Sequence, residues 1–497
     1  MVANLVVELA GKLSGKAMIS ADISEDDLKG AEIESIAARI RAHFGDSDLP
    51  RIVDRQLLRE IKESITLEKA PVEIEIKEPT DFRPLAKEIE PIFSTKSIAP
   101  EKTSATVGDF TDYFNDRFMR LREMIERGRS GISIISSIDR IAQYTEGREL
   151  SVVGMVYDKI ITKKGNIMIT MEDETGTVKV IFTKMEGKGA ALFENARKIA
   201  LDSVIAVKGK LSSPFIIANQ LLWPDIPVKN KKLANEAVSI AFTSDVHVGS
   251  KLFLEKQFRR FLEWINGNIE LNKNIAGSIK YLFVSGDLVD GIGVYPNQDK
   301  ELTIPDIYEQ YSFFFDLISN IPEYVHVFVL PGNHDAVQRA EPQPILTDDL
   351  IKDFRQSNIH MVSNPSYVTV HGIKVLTYHG TSLDSVIRNV PGCNSAKPET
   401  AMVEMLKMRH LSPVYGENPI VPTKKDEMAI TEVPDILHMG HMHKNGYAEH
   451  HGTQVINSGT WQSRTIYQEK LGHFPTPALL PVYDAMKGNI SSMDFNR

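Results

Sequence analysis

Val325-His326-Val327-Phe328-Val329-Leu330, running directly into Pro331-Gly332-Asn333-His334-Asp335, is the stretch that decides the fold. Its first half is apolar and β-favouring and reads as a buried strand. Its second half turns abruptly to an amide, an imidazole and a carboxylate. Open α/β sheets carry such groups on loops just past the carboxyl ends of their strands. The arrangement recurs four times. Asp245-Val246-His247 follows Val238 to Thr243, and Gly286-Asp287 follows Tyr281 to Ser285. Tyr378-His379-Gly380 closes the run from Lys374, and Gly440-His441-Met442-His443 follows Ile436 to Met439. Helical segments from Lys256 to Asn268 and from Ile307 to Ser319 fall between them as covering layers.

Together the five clusters supply Asp, Asn and His but no thiolate. That set suits two divalent metals held side by side over a phosphate ester. Alternate residues at a strand end point the same way, so Asp245 with His247, and His441 with His443, are expected to face one site. Gly286 lets the backbone turn sharply and leaves Asp287 as a carboxylate able to bridge two cations. Asn333 adds a neutral oxygen, which keeps the site open to an anionic substrate. Two cations about 3.5–4 Å apart would bring the pKa of a shared water toward roughly 7 and neutralise charge building on the phosphate. His334 is placed to assist the departing sugar oxygen as general acid.

Upstream, from Glu149, the period changes to two. Val152 to Tyr157, Ile167 to Met171 and Val178 to Phe182 read as strands, Gly189 to Lys198 as a helix, and Val204 to Lys210 as a further strand. This layout, with Asp173-Glu174-Thr175-Gly176-Thr177 between strands, resembles a nucleic-acid-type OB fold, a five-stranded Greek-key barrel. Tyr157 and Phe182 are its visible stacking candidates. Contact with DNA and packing against neighbours are equally expected of it.

The first 65 residues read as helical, with Ile33, Ile36, Ile40 and Phe44 at helical spacing. Pro71, Pro79, Pro84, Pro91 and Pro100 then mark an extended linker, because they can sustain neither a helix nor a central strand. Phe114, Phe118, Leu121 and Ile125 mark an amphipathic helix ending at Gly128. The expected order is a helical domain over 1–69, a linker over 70–109 and a bridging helical segment over 110–147. An OB fold over 148–228, a basic hinge over 229–237 and an α/β domain over 238–497 follow.

Composition is that of a globular chain: 497 residues, 42% hydrophobic and 25% charged. The net charge of -9 argues against a chain that coats nucleic acid electrostatically, so any such contact must come from local basic patches, metal or a partner. One cysteine, Cys393, rules out an internal disulfide and suits a reducing cytoplasm. No apolar run reaches about 18 residues and Glu8 interrupts the first apolar segment, so neither a membrane span nor a secretory signal is expected.

The ordered set D-x-H, G-D, G-N-H-D, H and G-H-x-H resembles the calcineurin-like metallophosphoesterases over residues 238–497. The resemblance implies a four-layer fold, a β-sandwich flanked by helices, around a dinuclear centre. It assigns Asp245, His247 and His443 to one metal, Asn333, His379 and His441 to the other, and Asp287 to both. His334 is then the catalytic histidine, with Asp335 expected to orient it. Mn²⁺ is the first expectation for the metals, and Fe²⁺ or Zn²⁺ would also be tolerated.

With its helical head, proline-rich linker, OB fold and phosphoesterase in that order, the chain resembles the small subunits of archaeal family D DNA polymerases. A more remote resemblance is to the B subunits of eukaryotic replicative polymerases. It implies a metal-dependent 3′–5′ exonuclease that proofreads single-stranded DNA ends beside a large catalytic polymerase subunit. Single-stranded and primer-template DNA are the implied substrates, and a sliding clamp is a conceivable further partner. The eukaryotic subunits have degraded metal motifs, whereas every ligand position is filled here. A non-catalytic scaffold and a free-standing phosphatase are the competing readings.

Arg339, Arg388, Arg409, Lys424 and Lys425 are candidate phosphate contacts, with Arg339 foremost because it closely follows His334. The insert from Ser385 to Pro434 is expected either to wall the cleft or to dock a partner. His438, His450 and His451 fall off the motif's spacing and are expected to support the site or lie on the surface. Met402, Met405 and Met408 are expected to pack a helix.

Overall fold

Two six-stranded sheets stack face to face in the computed structural model, and the alternation of side chains along each strand explains why. In Ile279–Ser285, Tyr281 and Phe283 point into the space between the sheets, while Leu282 and Val284 point outward. The inner space is filled by Ile240, Phe242 and Phe328 of one sheet against Val368, Val375, Ile436 and Ile456 of the other. On the outer face of the first sheet lie the helices Glu255–Ile265 and Ile307–Ile318, packed through Phe258, Phe261, Trp264 and Phe314. Leu383–Asn389 and Glu399–Met408 cover the second sheet, with Met402, Met405 and Met408 all in the core. The result is four layers, helix–sheet–sheet–helix.

The first sheet runs in the order Ile359–Met361, His326–Leu330, Ile279–Ser285, Ser239–Thr243, Leu479–Asp484, Asn489–Asp494. Its first four strands are parallel. The second sheet runs Gly446–His450, Thr453–Asn457, Ile436–Met439, Ile373–Thr377, Ser366–Val370, Phe93–Ser97. A closed five-stranded barrel, Glu149–Ile161, Ile167–Asp173, Gly176–Phe182, Phe215–Leu222 and Val204–Ser212, precedes all of their strands in the chain except Phe93–Ser97. Phe182 belongs to the barrel core, whereas Tyr157 is exposed. No helix among the described residues is long and apolar enough to cross a membrane.

The structure describes residues 82–98, 104–128, 134–184, 190–351, 354 and 356–497, together with Leu9, Met18, Ile19, Ile36, Ala37, Ile40, Ile52, Val53, Leu57 and Leu58. Met1–Thr80 is a unit of its own. Ile36 and Ile40 are helical and buried, but Met18–Ile19 pairs in parallel with Ile52–Val53, so this unit is not purely helical. Ile33 and Phe44 lie outside the described residues.

The proline-rich linker expected over 70–109 needs correction where it is described. Phe93–Ser97 is the edge strand of the second sheet, antiparallel to Ser366–Val370. Tyr281 bonds both the amide and the carbonyl of Ile92, and Lys280 donates to the Ala86 carbonyl at 3.0 Å. Proline is compatible with such an edge, because Pro84 and Pro91 precede the strand and the missing N–H groups are not needed in a ladder. The bridging helix also starts earlier than expected. It spans Val107–Arg127 and is capped by Thr106 and Asp109 in a reciprocal capping box.

This helix packs on the barrel through Phe118, Leu121 and Ile125 and on the 385–434 insert through Arg117. Arg117 donates to Asp426 at 2.6 Å and to the Pro413 carbonyl at 2.9 Å, and His410 meets the same carboxylate at 2.7 Å. The barrel's own Asp202 accepts from the Tyr415 amide, and Lys198 pairs with Glu404. The insert is therefore neither a wall over the cleft nor a free docking surface over this stretch; it carries the chain's own barrel.

Arg117 and Asp426 are both almost inaccessible, so deleting one strands the other as a buried charge. Asp426→Ala should destabilise the 81–496 unit by about 3–5 kcal/mol. Denaturant unfolding followed by tryptophan fluorescence measures this, and a loss below about 1 kcal/mol would show that the pair does not lock the insert.

Candidate metal centre

The site forms where both sheets end on the same side. Ser239–Thr243, Ile279–Ser285 and His326–Leu330 of the first sheet lead to Asp245 and His247, to Asp287, and to Asn333 and His334. Ile373–Thr377 and Ile436–Met439 of the second lead to His379 and to His441 and His443. The loops are tied to one another by backbone bonds: Asp245 to Gly286, His247 to Asp287, and Gly440 to His379, at 2.8–3.0 Å.

The expected strand pleat is not what aims the paired side chains. Asp245, His247, Asp287, His441 and His443 all have left-handed backbones, with φ of +53°, +52°, +50°, +67° and +53°. Such conformations cost of order 1–3 kcal/mol each and persist only where the surroundings enforce them. Here the close approach of loops enforces them. A Cβ at Gly332 would land on Asp287 Oδ1, and one at Gly440 would collide with Ser244 and the Asp245 carboxylate.

Three donor trios result here, one of them His247, Asp290 and His334, and the other two carry the expected ligands. Asp245, His247 and His443 converge, as do Asp287, His379 and His441, with the ligand atoms of each trio within 4.8 Å of one another. Asp287 stands between them. Its Oδ1 lies 3.3 Å from His379 Nε2 and its Oδ2 lies 3.8 Å from His247 Nε2. Asn333 Oδ1 is 2.9 Å from the same His379 nitrogen. His379 Nδ1 faces the Ser285 carbonyl at 2.8 Å and must donate to it, which leaves Nε2 for a ligand. All seven expected ligand positions therefore lie in one place.

The chemistry of the donor set is compatible with cations. Asp245 Oδ1 is buried and accepts no hydrogen bond among the described residues. The Nε2 atoms of His247 and His443 face each other at 3.0 Å, an arrangement in which only one of them can hold a proton. Without a cation the site balances its charge with protons. Burial disfavours the His379 imidazolium, yet Asp287 outweighs it and pushes the pKa up to about 10. Burial would raise the Asp287 carboxyl, but His379 and His334 hold it well below the ordinary carboxylate range.

Asp335 does not orient His334. Its carboxylate accepts from the Gly332 amide at 2.7 Å, the Leu288 amide at 3.2 Å and the Tyr311 hydroxyl at 2.9 Å. Burial, with the Asp287 charge, pushes its pKa up to about 7. It therefore pins the loop that carries Asn333. The group that orients His334 is the Asp290 carbonyl, which accepts from Nδ1 at 2.8 Å. The Asp290 carboxylate also sits 3.2 Å from His247 Nδ1. Sequence reading missed Asp290, although a second aspartate three residues past Asp287 and followed by Gly291 was a visible signal. It also missed Asp384 beside His441, Gln468 beside His443, and Asn364, which accepts from the His379 amide.

Of the basic candidates, Arg339 is exposed and reaches the Val294 carbonyl at 3.5 Å, next to the His334 loop. Lys424 and Lys425 are exposed, and Arg388 is paired with Glu417. Arg409 is buried and donates to the Thr431 carbonyl, so it cannot reach a nucleic acid. His438 is buried between the sheets, bonded to Ser458, and His450 pairs with Asp225.

Comparison with known proteins adds three findings. A family profile for the B subunits of DNA polymerases alpha and epsilon matches residues 240–447, and one for an OB-fold nucleic acid binding domain matches residues 150–219. The DNA polymerase II small subunit of Archaeoglobus fulgidus is 40% identical over 76% of this chain and 75% of its own length. That of Methanothermobacter thermautotrophicus is 35% identical over 93% and 98%. A solved archaeal phosphodiesterase is similar over 52% of this chain and 99% of its own, at 16% identity and a TM-score of 0.26, a likeness too slight to carry weight.

Cation binding here requires a neutral His379, so it must displace a proton over the whole range below about pH 10. Mn²⁺ affinity should therefore rise with pH and binding should release protons, as titration calorimetry in buffers of different ionisation enthalpy would show. The raised His379 pKa contributes stability to the metal-free chain that is complete below about pH 6.5 and lost as pH climbs through about 10. An Mn²⁺ affinity that does not change between pH 6 and 9 would contradict the assignment.

Proposed function

Because the chain belongs to the family of archaeal DNA polymerase II small subunits, the small subunits of family D polymerases, we propose that its metal centre is a 3′–5′ exonuclease. It would trim single-stranded DNA ends beside a large catalytic polymerase subunit. The observation that carries this reading is the convergence of Asp245, His247, Asp287, Asn333, His379, His441 and His443 at one end of the sandwich. A subunit kept only as scaffold has no need of five left-handed residues and a buried carboxylate oxygen without a hydrogen bond at that point.

Two bound cations, Mn²⁺ foremost, would supply a Lewis acid and a water of lowered pKa. The remaining work falls to side chains. Asp287 spaces the two ligand groups, and Asn333 completes one of them without adding charge. His334 is held by Nδ1 on the Asp290 carbonyl, so its Nε2 turns toward the site, 3.9 Å from Asp287 Oδ2. Burial lowers the His334 pKa, so the proton it hands to the leaving oxygen is acquired when the anionic phosphodiester lies beside it. Arg339 offers a cation to the backbone of the strand. The barrel, joined to the second sheet's helices, would hold either DNA or the partner subunit.

End-labelled single-stranded DNA should be shortened from its 3′ end by the purified chain with Mn²⁺ and left intact with chelator. Asn333→Ala should lower the rate about 100-fold or more, as should His334→Ala. An intact label with Mn²⁺ present would replace this reading with that of a non-catalytic scaffold. Asp290→Asn keeps the carbonyl that holds His334 but weakens the hold on His247, and it should cost about 10- to 100-fold in metal affinity. An Asp290→Asn chain with parental Mn²⁺ affinity would show that this carboxylate does not tune the centre.

A further inference from the structure

We infer that Tyr295 is a stacking platform for the penultimate nucleobase, the one whose sugar carries the leaving oxygen, and so sets the register of a single strand at the metal centre. This rests on the nuclease reading above. After Asp290 the chain swings outward through Gly291 and Gly293, both left-handed, with φ of +77° and +70°. It leaves Ile292 and Tyr295 50% and 36% exposed. The loop is nevertheless held firmly. Gln298 donates to the Asp290 carbonyl at 2.7 Å and its carboxylate at 3.0 Å, and accepts from the Val294 amide at 2.9 Å. Gly291 bonds Gln310 and approaches the His334 carbonyl so closely that no Cβ would fit. Asp290 thus anchors both the working histidine and the loop that presents the aromatic ring.

The Tyr295 ring lies 6.2 Å from the His334 ring, centroid to centroid, inclined at 61°. Its hydroxyl donates to Glu301 at 3.4 Å, and Arg339 reaches the carbonyl of the preceding residue, Val294. A partly exposed aromatic ring with an exposed guanidinium beside it is the pair of groups with which proteins grip single strands without reading their sequence. Chemistry fixes which base is met. Release of a mononucleotide breaks the bond between phosphorus and the penultimate O3′. Water adds to phosphorus, and the proton from His334 goes to that O3′. Tyr295 flanks His334, so it meets the penultimate nucleotide and not the one released. A base can lie on the ring only when unpaired, which favours frayed ends over duplex.

The full-length chain and Tyr295→Ala would be compared, with Mn²⁺, on oligonucleotides that are intact, abasic at the penultimate position, or abasic at the terminal one. Loss of the penultimate base should raise the parent KM about tenfold, Tyr295→Ala should do the same on intact DNA, and the two losses should not multiply. Tyr295→Phe should restore the parent value. A tyrosine that only supports the loop would instead give losses that multiply and a lower kcat on every substrate, which would overturn the inference. With chelator present, 2-aminopurine at the penultimate position should be quenched by the parent and not by Tyr295→Ala. Cleavage indifferent to the penultimate base, or a loss confined to the terminal one, overturns the inference and leaves the nuclease reading intact. No cleavage by the parent sinks that reading instead, and the 2-aminopurine signal then decides the stack alone.

Discussion

A buried carboxylate facing imidazoles on two sides is the constraint around which the α/β domain is arranged. Asp287 is only 2% exposed, yet its neighbours hold it ionised, and each of its oxygens is turned toward a different group of ligands. Such a group is tolerable in a protein interior only when opposite charge lies close by. Protonated histidine can provide that charge, and so can a divalent cation. The same geometry explains why glycine stands at positions 332 and 440, where any side chain would occupy the space of a ligand oxygen.

The sandwich makes this possible. Its two stacked sheets end side by side at the site, and each contributes loops that the other braces: Asp245 accepts from the His441 amide, and Ser285 bonds across to Thr377 and Tyr378. Left-handed residues that would relax in a free loop are trapped between two such frameworks. Away from the site, the bridging helix and the 385–434 insert fasten the barrel to the second sheet's outer face. The barrel is thereby fastened to the domain that carries the centre.

Much of this was legible in the residues themselves. Strand-then-polar repeats located all seven side chains that converge at the site, because apolar runs and sudden polar clusters survive translation into a sheet with few alternatives. What escaped was whatever depends on contacts between distant segments. Phe93–Ser97 was hidden among prolines that forbid a central strand but permit an edge. The role of Asp335 is not legible in the sequence, because adjacency to His334 in the chain says nothing about which way a buried carboxylate turns. Asp290, Asn364 and Gln468 support ligands from 43, 15 and 25 residues away in sequence, and no local pattern announces such partners. Pleat arithmetic reached the right side chains for the wrong reason, since strain, not alternation, aims them.

We propose that one carboxylate, Asp287, joins two cation positions into a single centre. Electron paramagnetic resonance of the full chain titrated with Mn²⁺ tests it most directly. Two ions per chain with the exchange-coupled signal of a bridged pair is the predicted result, collapsing to at most one uncoupled ion in Asp287→Ala. Two uncoupled ions, or a coupled pair that survives the loss of Asp287, would contradict it.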